Sequence, residues 1–91
     1  MIMLSIKTQS NDRYEVIVNS KSKTTHVVTI SDKDYLDLTN KKVTKEELLK
    51  FSFKFLLERE SNTSILSSFE LRLISKYFPE YENSVKNWCK S

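Results

Sequence analysis

The sequence predicts an α+β fold, an N-terminal three-stranded antiparallel β-meander packed against three to four C-terminal α-helices. Three observations carry this prediction. Apolar residues alternate at period two before residue 31, helix-capping sequences recur after it, and all five phenylalanines lie between positions 51 and 78. A chain of 91 residues buries somewhat under two-thirds of its unfolded surface, enough for one core and too little for two. The reading is therefore a single domain over 1–91, with residues 1–30 as the meander and 31–89 as the helical part.

Ile2, Leu4 and Ile6 mark a first strand over 2–7, Tyr14, Val16 and Val18 a second over 13–19, and His26, Val28 and Ile30 a third over 25–30. Alternation of β-branched and aromatic residues fits a half-buried pleat. The links Gln9–Asp12 and Ser20–Lys23 are short and polar, so consecutive strands pair antiparallel. Three strands then need a cover on one face.

The second half supplies it. Ser31-Asp32-Lys33-Asp34 is an acidic variant of the capping box, and it opens a short helix through Tyr35, Leu36 and Leu38. Thr44-Lys45-Glu46-Glu47 is a full capping box opening the strongest helix, about 45–59, with Leu48, Leu49, Phe53, Leu56 and Leu57 on one stripe and Phe51 and Phe55 widening it. Ser67-Ser68-Phe69-Glu70 reads as a third box, opening a helix that Pro79 interrupts. Pro79 then sits in the first turn of a last helix carrying Tyr81, Val85 and Trp88.

Composition excludes several functions. Apolar residues at 38% and charged residues at 30% are those of a globular protein. No apolar run approaches the roughly 18 residues that span a bilayer, and the N-terminus lacks a signal-peptide pattern, so the expectation is a cytoplasmic protein without membrane contact. A lone Cys89 forms no intramolecular disulfide or structural zinc site. The net charge of +3 comes from interleaved acids and bases rather than a basic block. There is no glycine, so phosphate-cradling loops are excluded and turns fall to Asn, Asp, Ser and Lys.

No catalytic constellation emerges. His26 and Cys89 would make a nucleophile and base pair if the fold joined them, but nothing in the sequence does. Asp32, Asp34, Glu46 and Glu47 lie in first helical turns, where carboxylates complement the helix dipole. Neither a cofactor, a metal nor a small-molecule substrate is implied. Aromatic residues are instead in surplus for one small core. Phe51, Phe53 and Phe55 cannot all face the same way from one helix, because steps of two rotate a side chain by about 200 degrees. Either that helix is central, or one of its rings is exposed. Phe51, Tyr77, Tyr81 and Trp88 are accordingly the candidate partner surface.

Two resemblances accompany this reading. Glu46-Glu47-Leu48, Ser52-Phe53-Lys54-Phe55-Leu56-Leu57-Glu58-Arg59-Glu60, Ser64-Ile65-Leu66, Phe69-Glu70-Leu71, Ile74 and Tyr77-Phe78-Pro79-Glu80-Tyr81 resemble a pattern in small uncharacterised bacterial proteins. That likeness implies a compact cytosolic domain and carries over no functional residue. Val27-Val28-Thr29-Ile30-Ser31-Asp32, followed by two helices, is similar to the ribbon-helix-helix DNA-binding pattern. It implies a dimer whose paired strands enter the major groove, with Lys41, Lys42, Thr44 and Lys45 on phosphates and Thr25, Val27 and Thr29 facing the bases. The expected function is a non-enzymatic interaction module that binds a protein partner or its own copy. The alternative is a ribbon-helix-helix-like DNA-binding regulator or antitoxin.

Overall fold

A computed structural model describes residues 3–90. Strands β1 (Met3–Thr8), β2 (Arg13–Asn19) and β3 (Lys23–Thr29) are followed by helices α1 (Asp32–Thr39) and α2 (Lys45–Leu57) and a single 3₁₀ turn at Asn62–Ser64. Strand β4 (Ser68–Glu70) and helices α3 (Leu73–Tyr77) and α4 (Tyr81–Lys90) complete the fold.

The meander forms as the alternation requires. Val16 and Val18 of β2 and Val28 of β3 are fully buried, and they lie opposite Ile6, Leu4 and Tyr14 on neighbouring strands. The other face is mixed: Ser5, Ile17 and Thr25 form one cross-strand row and Lys7, Glu15 and Val27 the next.

The sheet has four strands, not three, in the order β1-β2-β3-β4, and β4 runs parallel to β3. The expectation of a helix at Ser67–Glu70 is thereby corrected. Val27 N–H donates to the Ser67 carbonyl at 2.8 Å and Leu71 N–H to the Thr29 carbonyl at 2.9 Å. The open edge of β3 satisfies these backbone groups more completely than a short helix cap, and it turns Phe69 inward against Phe53, with ring centroids 6.3 Å apart. Helix formation is postponed to Leu73, where no side chain caps the first turn.

The other helix starts follow local chemistry. Ser31 Oγ accepts from Asp34 N–H at 3.1 Å, and Thr44 and Glu47 form the reciprocal box, with Glu47 Oε1 accepting from Thr44 N–H at 3.0 Å. Without glycine, the turn between α1 and α2 places Asn40 at φ 52° and Lys41 at φ 59°, both left-handed. Ser84 N–H donates to the Glu80 carbonyl and Tyr81 N–H to that of Phe78, which extends the turn that opens α4 back over Pro79.

Helix α2 is the centre of the molecule, and its three phenylalanines face three ways. Phe53 packs toward the sheet on His26 and Phe69, Phe51 stacks on Trp88 of α4 at 4.5 Å, and Phe55 meets Phe78 and Tyr81 edge-on. One buried cluster runs from Val16 in the sheet to Val85 in α4. The radius of gyration, 12.3 Å, is the ~12 Å expected for one compact unit of this length.

Candidate functional site

A concavity lined mainly by apolar side chains lies at the β4 edge. The C-terminal turn of α2 gives Leu56, the turn that follows it gives Glu60, the segment before β4 gives Ile65 and Leu66, and Phe69, Leu73, Tyr77 and Phe78 close a groove of about 360 Å³. Leu66 is 48% exposed and Tyr77 67%, so two large side chains stand in solvent on its walls. Glu60 is the one charged residue among its described lining residues.

The walls are held from behind. Arg59 lays its guanidinium 3.5 Å from the Phe55 ring centroid, donates from Nη1 to the Phe55 carbonyl and faces Glu80 at 3.6 Å. This ties the end of α2 to the turn before α4. On the other wall, buried His26 has Nδ1 2.7 Å from the Leu66 carbonyl and Nε2 2.8 Å from Thr24 Oγ1. A carbonyl only accepts, so Nδ1 carries a proton. Asn62 Nδ2 donates to both Thr24 Oγ1 and the Ser22 carbonyl, which fixes the Thr24 hydroxyl beside Nε2. His26 therefore anchors the groove rim. Its ring nitrogens are engaged by a backbone carbonyl and a hydroxyl, not by a thiol or a carboxylate.

Cys89 lies partly buried on α4, and its thiol is pushed up by that burial, with the Lys42 ammonium acting in the opposite sense. A thiol so shifted is a poor nucleophile at neutral pH. Among the described residues no cluster of His, Cys, Asp and Glu is arranged to hold a metal ion. No described helix is long and apolar enough to cross a membrane.

The four aromatic candidates separate. Tyr81 was expected on a partner surface, and that expectation is corrected, because its side chain is fully buried. Ser52 Oγ donates to the Leu48 carbonyl at 2.7 Å, so the Tyr81 hydroxyl donates in turn to Ser52. Burial raises its ionisation well above the usual tyrosine range. Phe51 and Trp88 are half-buried against each other, and Tyr77 alone of the four is exposed. Leu66 escapes sequence reading because it lies in an irregular segment. Its only signal is the Ile65-Leu66 pair, of which one member must turn outward if the chain is extended.

The four candidate phosphate contacts are divided as well. Lys45 Nζ lies 2.8 Å from Asp32 Oδ1, 3.6 Å from Asp12 Oδ1 and within reach of the Asn11 and Ile30 carbonyls, and its side chain is 13% exposed. Burial works against the charge of Lys45, but the Asp32 hydrogen bond and the acids around it outweigh burial and raise its pKa. The same bond, with the Lys45 charge, holds Asp32 below the usual carboxylate range. Lys45 thus joins the β1–β2 turn to the starts of α1 and α2. Thr44 is committed to Glu47, whereas Lys41 and Lys42 are exposed. Thr25 is exposed and Val27 and Thr29 half-buried on the open sheet face, on a strand paired along both edges.

Comparison of the chain with family models, with curated proteins and with solved structures returns no match.

Proposed function

We propose that the protein is a non-enzymatic interaction module whose groove beside β4 and α3 receives an extended, apolar segment of a protein partner. The observation that carries this reading is the exposure of Leu66 and Tyr77 on a groove lined mainly by apolar side chains. Leaving such side chains in water has a cost that burial by a partner removes, at about 25 cal/mol per Å² of apolar surface.

Two features support an extended occupant carrying a positive charge. Ser67 and Leu71 point their backbone groups at β3, so the alternate residues, Ser68 and Glu70, turn theirs to the free edge, where a peptide strand would pair. Glu60 at the groove would then face a lysine or arginine of that peptide. The test is selection from a random peptide library, with Leu66→Asp and Tyr77→Glu as controls at exposed positions. The expected outcome is enrichment of peptides with apolar residues beside Lys or Arg, bound at least tenfold more weakly by either variant. A library that yields no enriched class, or peptides bound equally by both variants, overturns the reading.

A further inference from the structure

We infer that the opposite sheet edge, β1, is an interface with a second copy of this chain, formed by antiparallel pairing of the two β1 strands. The hydrogen-bond phase shows which groups are available. Gln9 N–H donates to the Arg13 carbonyl at 2.9 Å, in phase with the Lys7/Glu15, Ser5/Ile17 and Met3/Asn19 pairs, and bonded pairs alternate in an antiparallel ladder. Ile30 N–H bonding to the Asp12 carbonyl assigns the even residues of β2 to β3 and confirms the alternation. The N–H and C=O groups of Leu4, Ile6 and Thr8 therefore point out of the sheet, and a two-fold axis at Ile6 pairs all of them with their copies.

This edge has few of the features that keep strands apart, its one charge being Lys7 on the face away from Leu4 and Ile6. It runs for six residues in unbroken register, without proline, bulge or inward-facing charge, whereas the β4 edge is three residues long. The core face beside it is also unfinished. Between β1 and α2 lies a groove of about 480 Å³ lined by Leu4, Leu57, Lys50, Lys54 and Glu58. A two-fold axis normal to the sheet keeps both α2 helices on one side, sets Ile6 against its copy and places Leu4 opposite Thr8 of the other chain. The two helices then run antiparallel, and each copy brings both signs to the contact, Glu58 beside Lys50 and Lys54. An isologous interface requires such self-complementary charge.

The inference is independent of the groove at β4, which lies at the other end of the sheet, so loss of dimer leaves peptide selection unchanged. Light scattering across a concentration series tests it, with circular dichroism confirming that variants fold. The expected result is a wild-type dimer that dissociates at least tenfold more readily in Thr8→Pro, which removes an outward N–H, and in Glu58→Lys, an exposed change. Mixing Glu58→Lys with Lys50→Glu/Lys54→Glu restores the dimer as a heterodimer. A wild type that stays monomeric at millimolar concentration, a dimer indifferent to both variants, or a mixture that fails to associate overturns the inference.

Discussion

Tyr81 shows how one side chain couples burial to pH. Its hydroxyl is buried against Ser52, and burial raises its ionisation above that of an unfolded tyrosine, near 10. The folded state binds this proton more tightly than the unfolded state. Its contribution is complete below about pH 10 and is lost as pH rises, at about 1.4 kcal/mol per unit. Tyr81→Phe keeps the ring and leaves Ser52 its bond to the Leu48 carbonyl, so the variant costs about 1 kcal/mol at pH 7. Urea unfolding at pH 8 and pH 11 checks this: the gap between variant and wild type closes at the higher pH, and a gap that widens contradicts the assignment. Residue identity made Tyr81 an attractive surface candidate. Its true place depends on the phase of α4, which the turn over Pro79 sets so that Tyr81 and Val85 face inward together.

At the scale of elements, the chain was most legible where a boundary is written by side chains. The boxes at Ser31 and Thr44 open α1 and α2 at the expected residues, because an orphan amide and a nearby hydroxyl need no distant partner. Ser67-Ser68-Phe69-Glu70 carries the same local signal yet forms β4, since the edge of β3, some 40 residues earlier, competes for the same backbone groups. The groove was illegible for the same reason: its walls come from α2, β4 and α3, whose meeting depends on that pairing. The glycine-free turn supplies two predictions of opposite sign. Lys41→Gly relieves a left-handed residue and stabilises by about 0.5 kcal/mol after the added unfolded-state entropy. Thr44→Ala removes the cap of α2 and destabilises by about 1 kcal/mol. Thermal melts of the pair read both, and equal midpoints would argue against this account of the turn.

For the whole molecule, the question posed by three alternating phenylalanines is answered by placing α2 between the sheet and α4, and the three contacts are unequal. Phe53 is fully buried where sheet, β4 and helix meet, so Phe53→Ala opens a cavity in the one cluster the whole chain shares and costs about 3 to 5 kcal/mol. Phe51 is half-buried and meets chiefly Trp88, so Phe51→Ala loses a stacked pair and part of a surface, about 1 to 2 kcal/mol. The losses also differ in kind. The first lowers the urea midpoint of every probe together, because no part of the fold has a second core. The second loosens α4 and changes Trp88 fluorescence, while amides of β2 and β3 keep their protection from hydrogen exchange against the remaining global stability. Equal costs for the two variants, or loss of β2 protection in Phe51→Ala beyond the global change, would mean that α4 belongs to the same cooperative unit as the sheet and that α2 does not separate them.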